Sequence, residues 1–340
     1  MSFQIIQKNR KPLSLYKATI SPTISSKTVL VQDTWDYVRL WLKRQKKNSA
    51  LLYWEPAKHF YDATKLLPRE SAGLTAYYSF LNATKTLLSV KGIQAADHHG
   101  VEGKIISEKC YLANEQVIFK TGGVLPGLSR YLQEAYTSDE SYTLKDLLYN
   151  LAYIHRAYCL TFSTSEDIFV PIKNPRFVKK VGSKETWFCF DLENKYATQA
   201  TLNKIGQDFE KDNGISDKFT VRKKKRFNYN SKNMGSFIDY HKKIRFDTQY
   251  IYSSEKLWYI KKKEGNVGVI NRSPLTLAFA AMHRISELCR YKPERLVRHF
   301  ESQNNWLLSE FITIAPTQYI DQISSEITGY DFMLPGYSAR

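Results

Sequence analysis

The chain has 340 residues, 43% of them hydrophobic and 24% charged, with a formal net charge of +17. These proportions exclude a collagen-like, coiled-coil or mostly disordered chain, and a chain of this length hides roughly 75% of its unfolded surface without disulfide staples. Cys110, Cys159, Cys189 and Cys289 lie far apart in neither a zinc-ribbon nor a disulfide pattern, the first residues lack a signal-peptide run, and no apolar stretch approaches the roughly 20 residues that span a bilayer, so a soluble cytoplasmic protein is expected.

In chain order, Asp33 or Thr34 is placed to cap a helix from Trp35 to Lys46. Pro56, at a first-turn position, opens a helix that Pro68 closes. The clearest element is a helix over residues 71–91, in which Leu74, Tyr77, Tyr78, Leu81 and Leu88 form an apolar row and Thr75, Ser79, Asn82 and Thr86 a narrow uncharged stripe. Gly92 follows as a left-handed cap. Residues 115–120 predict a strand, Thr121-Gly122-Gly123 a turn, residues 128–135 a helix, and Thr143 the cap of a helix over 144–162. From 166 to 272 the texture changes to short β-like runs, TWFCFDL, KFTVRKK and KLWYIKKK. Helical periodicity returns at Ser273-Pro274, Pro293 ends that helix and starts the next, and helical patterns continue to about Ile327. The expected fold is mainly α with a β-rich insertion, an α+β class. Residues 1–50 form a basic N-terminal arm and first helix, 51–165 a helical region, 166–272 a basic β-rich insertion, and 273–340 C-terminal helices that pack on the helical region.

The positive charge is unevenly distributed. Residues 1–50 carry 10 basic and 2 acidic side chains and residues 171–272 carry 23 and 11, while the remainder is nearly balanced. An excess confined in this way suits a polyanion-binding surface, because each phosphate neutralised releases condensed counterions. The densest run is Arg222, Lys223, Lys224, Lys225 and Arg226, followed by Lys242, Lys243 and Arg245 and then by Lys261, Lys262 and Lys263. Phe227, Tyr229, Tyr240, Phe246, Tyr250, Tyr252, Trp258 and Tyr259 are interleaved with them. Such rings either stack bases, as in single-strand binders, or face a small β core whose edge the lysines keep soluble.

Several segments carry a family resemblance: YWEPAKHFYDATKLLP at 53–68, LTAYYSFLNATKTLLSVKG at 74–92, His99-Gly100, VIFKTGG at 117–123, YTLKDLL at 142–148 and ISELCRYKPERL at 285–296. Together they resemble the YaaC-like family of bacterial proteins, and the first helical half resembles the broader HEPN class. The resemblance implies a HEPN-like helical bundle interrupted by a basic β-containing unit. HEPN relatives include ribonucleases of toxin–antitoxin and antiviral defence systems, alongside members that only bind nucleotides or partners, and fold analogy does not choose between these.

HEPN ribonucleases use an Arg followed by four to six residues and a His on one helix. Here Arg295 precedes His299 with three residues between, one short of that pattern but on one helix face. Both are otherwise expected as surface residues. Asp191, Glu193 and Lys195 follow a strand and resemble the acidic-x-Lys element of metal-dependent nucleases. His99 and the Arg290-Tyr291 corner mark a candidate pocket. His98 and His99 are adjacent and diverge, so no metal site is expected, and no cofactor motif is present. The function expected is nucleic-acid or polyanion binding within a bacterial defence or stress complex, as a homodimer or complex subunit. The alternatives are a nuclease with a divergent site and a structural or antitoxin-like subunit that binds an acidic protein.

Overall fold

The computed structural model describes the chain except residues 1–2, 25–27, 138, 215–217, 254–255 and 334–340, so the outer ends of the first and last expected segments lie outside the described residues. The arm begins with β1 (Phe3–Ile5), β2 (Gln7–Lys8), β3 (Lys11–Pro12) and β4 (Val29–Leu30). β2 and β3 form a hairpin that turns through Asn9 and Arg10, both at positive φ as a tight two-residue turn requires. Asp33 caps α1 (Thr34–Arg44) by accepting from the Trp35 and Asp36 N–H groups.

α2 (Asn48–Leu66) starts well before Pro56, which lies inside the helix and does not open it. The amide hydrogen missing at Pro56 leaves the Leu52 carbonyl unbonded on a face where Leu52 is 75% exposed, so water can satisfy it. α3 (Arg69–Lys91) ends on Gly92 as expected. Its uncharged stripe faces α2: the Ser79 hydroxyl donates to the Ala57 carbonyl and Thr64 pairs with Thr75.

β5 (Val101–Ile105), β6 (Glu115–Phe119) and β7 (Ser141–Thr143) make a small antiparallel sheet. α4 (Val124–Leu132) begins four residues before the expected start, directly after Gly123. Thr143 and Asp146 form a capping box on α5 (Leu144–Tyr149). The expected long helix breaks after α5 and resumes as α6 (His155–Thr161). The break falls at Asn150, whose amide donates to the Gly268 carbonyl while its oxygen accepts from Ile270 N–H, contacts that a straight helix would not reach.

The insertion contains β8 (Phe169–Lys180), β9 (Glu185–Leu192), α7 (Gln199–Ile205), β10 (Phe209–Lys211), β11 (Phe219–Lys223), β12 (Phe227–Asn228), α8 (Gly235–Asp247), β13 (Thr248–Ile251) and β14 (Leu257–Lys261). Its antiparallel sheet runs β10-β11-β9-β8-β14-β13. β8 is long enough to serve two partners on one edge: β14 pairs with its first half and β1 with its last, on either side of an irregularity at Lys173/Arg176. One sheet face packs on α7 and α8 through Phe177, Phe188, Phe190, Val221, Phe237 and Tyr240. The chain closes with α9 (Pro274–Tyr291), α10 (Pro293–Phe300), α11 (Asn305–Thr328) and β15 (Phe332–Met333), which pairs with β4.

A second, larger core joins the helices, with Phe80 of α3 stacked on Tyr319 of α11 at 3.9 Å between ring centroids. The arm, the insertion and α11 meet at a buried polar seam: Lys17 Nζ lies 2.8 Å from Asp321 Oδ2, the Tyr250 hydroxyl donates to the same carboxylate at 2.6 Å, and Arg245 donates to the Lys17 carbonyl at 3.1 Å. The architecture is the expected α+β. Among the described residues no helix is long and apolar enough to cross a membrane.

Candidate nucleic-acid interface

The strand alternation of β11 divides the densest basic run between two faces of the sheet. Lys223 points inward, is buried, and pairs with Asp247 at 2.8 Å and Asp208 at 3.5 Å. Arg222 points outward to Glu210 at 2.7 Å and Asp212 at 3.5 Å. Arg226 holds Glu185 at 2.6 Å, Lys242 reaches Gln133 and Asp239, Lys262 pairs with Glu166, and Lys263 pairs with Asp247. Arg245 and Lys261 are buried and cannot face a ligand, which corrects their expected place on the surface. Arg245 donates to the Thr248 carbonyl, and Lys261 binds Asn150 Oδ1 and the Ile270 carbonyl. Burial, with Lys263 adding to it, lowers the Lys261 ammonium to about 7. Of the eleven basic residues singled out by sequence, Lys224, Lys225 and Lys243 are exposed and form no ion pair among the described residues.

Lys225 and basic residues outside that set do come together, at one end of the sheet. Pairing of β1 with β8 sets Phe3 opposite Lys180, and Tyr229 N–H donates to the Lys184 carbonyl. Lys8 Nζ donates to the Ser231 carbonyl at 2.6 Å and the Tyr229 hydroxyl to the Gln7 carbonyl at 3.2 Å. These contacts bring the β2–β3 hairpin, the turn after β8 and residues 225–232 side by side. Arg10, Lys11, Lys180, Lys184, Lys225 and Lys232 are exposed there, and none forms an ion pair among the described residues. The carboxylate that these contacts bring to the patch, Glu185, is held by Arg226. Sequence reasoning counted the charge of the arm but missed its partners, because nothing in a three-residue strand announces which edge it joins.

Of the interleaved aromatic residues, six are in or against a core, and Phe246 and Tyr252 are half-buried outside it. Tyr240, Tyr250 and Trp258 are buried, Phe227 stacks on Tyr240 at 4.5 Å, and Tyr229 is half-buried against the same cluster.

The expected nuclease groups are engaged elsewhere. Arg295 and His299 are buried, which corrects their expected surface position. Both converge on Glu115 of β6, which Arg284 of α9 also binds; His299 Nε2 lies 3.0 Å and Arg284 Nη2 2.7 Å from its carboxylate. Burial pushes Glu115 up, but hydrogen bonds from His299, Arg295 and Arg284 outweigh it and hold the carboxyl at about 2. Asp191 is buried and accepts from Arg176, Asn174 and Thr220, while Glu193 and Lys195 lie past the end of β9 on a single helical turn, so the three do not form a metal cradle. Among the described residues no cluster of His, Cys, Asp and Glu could hold a metal ion. Cys159 lies 3.4 Å from His155 Nε2, but that nitrogen also accepts from Ile168 N–H and burial raises the thiol to about 11, so the pair is no activated nucleophile.

His99 and Arg290 lie on the helical side. His99 Nδ1 is 2.6 Å from the Tyr77 hydroxyl, Arg290 Nη1 donates to the Tyr78 hydroxyl at 3.0 Å, and the Arg290 guanidinium lies over the exposed Tyr291 ring at 4.6 Å. His283 backs this row, its ring 4.9 Å from Tyr77 and 5.3 Å from His99. Tyr77 and His283 were not recognised as site residues from sequence, where Tyr77 reads as part of an apolar helix row and His283 carries no motif.

The family model described as YaaC-like Protein matches residues 16–327. No curated protein and no solved structure matches the chain.

Proposed function

The chain belongs to the YaaC-like family, and from that premise we propose that it is a cytoplasmic, HEPN-related nucleic-acid-binding protein of a bacterial defence or stress complex. It engages the phosphate backbone through the cationic end of the sheet. The observation that carries this reading is the meeting of both basic segments there, with six exposed cations from three chain segments that form no ion pair among the described residues, beside the Glu185 carboxylate already held by Arg226. Phosphate contacts supply affinity without sequence readout. Because the neighbouring rings are packed in the core, the contact is to the backbone and not a base-stacking platform.

Labelled single- and double-stranded RNA and DNA titrated across a salt series test this. Affinity should fall by about a thousandfold between roughly 50 and 200 mM salt, the loss expected for about six phosphate contacts. Replacing Arg10, Lys11, Lys180, Lys184, Lys225 and Lys232 with Ser should flatten the slope, whereas replacing the paired Arg222 and Lys262 should change it little. Affinity indifferent to salt removes the reading. Co-purification with an acidic protein, with nucleic acid left unbound, transfers the surface to a protein partner.

A further inference from the structure

We infer that His99 and Arg290 form an anion site, separate from the cationic end of the sheet, that holds the terminal phosphate of a phosphomonoester. The backbone that carries His99 is clamped. Val124 N–H donates to the His98 carbonyl at 2.9 Å, Leu125 N–H to the His99 carbonyl at 3.0 Å, and Lys120 N–H to the Gly100 carbonyl at 3.0 Å. The clamp needs two glycines. Gly123 has φ +112, and a Cβ there would lie 2.5 Å from Gly100 N; Gly100 has φ +77, and a Cβ there would lie 2.3 Å from Pro126 Cδ. Backbone held in such conformations concentrates at functional sites.

The side-chain chemistry fixes what His99 offers. The Tyr77 hydroxyl has His99 Nδ1 as its hydrogen-bond partner, and burial keeps the phenol protonated. Nδ1 is the one acceptor within reach of the phenol proton among the described residues, and donation to it places the imidazole proton on Nε2. Nε2 makes no hydrogen bond among the described residues and is not sealed from solvent. His283 supports this arrangement from behind: it is buried, its Nδ1 makes no hydrogen bond and has the Glu287 carboxylate 3.8 Å away, and burial first, then His99, Arg284 and Arg290, lower it to about 3.

Arg290 supplies the charge. It is exposed, its orientation is set by Tyr78 and Tyr291, and it pairs with no carboxylate among the described residues. Glu287, one turn earlier on α9, is occupied by Gly103 N–H and by Arg284. Lys85 and Asp97 at the rim offset one another at 3.5 Å. A guanidinium fork plus a fixed neutral N–H matches the several oxygens of a terminal phosphate.

The test uses the full chain with ¹⁵N-labelled histidines and inorganic phosphate as the probe. Phosphate should shift the His99 Nε2 signal saturably, acetate at the same concentration should leave it in place, and Arg290→Ala should weaken the response about tenfold or more. Tyr77→Phe should move His99 toward a mixture of tautomers, seen in the same spectrum without ligand. Adenosine monophosphate binding tighter than phosphate points to a free nucleotide, and a 5′-phosphorylated oligonucleotide binding tighter than its 5′-hydroxyl form points to a strand end. Saturating phosphate that leaves His99 unmoved, an acetate response equal to that of phosphate, or an Arg290→Ala protein that responds like the parent overturns the proposal.

Discussion

Glu115 shows how one buried side chain can depend on residues far away in sequence. Its carboxylate, on a short strand, accepts from Arg284 on α9 and from Arg295 and His299 on α10. Glu115→Gln leaves the buried Arg295 guanidinium without a counter-charge and Arg284 with Glu287 alone, and urea unfolding at neutral pH should show a loss of about 3–5 kcal/mol. The folded carboxyl sits at about 2, below its usual value of 4.5, so its stabilisation is complete above pH 4.5 and is lost as pH falls from there toward 2. The gap between variant and parent should close over that window, and a gap that persists at pH 2 would deny Glu115 this role. Sequence put Arg295 and His299 on one helix face correctly, but the acceptor that turns that face inward lies 180 residues before Arg295 and leaves no local signature. The run from Arg222 to Arg226 misled for a related reason, since a strand sends neighbouring side chains to opposite faces, and Arg222 and Lys223 then meet different carboxylates.

Elements with strong periodicity and definite caps were legible. α3 with Gly92, α9 with Ser273 and Pro274, and the three β-like runs of the insertion all lie where the pattern put them. The errors came where long-range contacts override local preference. Pro56 is tolerated within α2 because its solvent face is wet, and the helix after Thr143 breaks because Asn150 binds the end of the insertion. The turn from β6 into α4 depends on local geometry that sequence reading treated as an ordinary glycine turn. Gly123→Ala places a Cβ at φ +112 against the Gly100 backbone and should cost about 1–3 kcal/mol. Thermal unfolding should show the loss, and the His99 imidazole signal should move in the same variant because Val124 and Leu125 hold its loop. An unshifted His99 signal would mean that the loop does not rely on the turn.

At the scale of the whole molecule, the division into arm, helical region, insertion and C-terminal helices describes composition better than it describes cohesion. The Lys17–Asp321–Tyr250 seam and the Glu326 carboxylate, which binds Thr19 N–H and the Tyr131 hydroxyl, join all four. Helical circular dichroism and tryptophan fluorescence should therefore report coincident urea transitions, with Trp54 and Trp187 each buried in a different core. Separate midpoints would mean that the insertion melts by itself. The position of β1 on the far half of β8 also bears on biosynthesis. A ribosome delivers Phe3 long before Lys180, so the first strand emerges with no edge to join and stays exposed while half the polypeptide is made. A nascent fragment thus carries the basic hairpin without the neighbours that assemble it into a surface, and that surface arises only when the insertion has been translated.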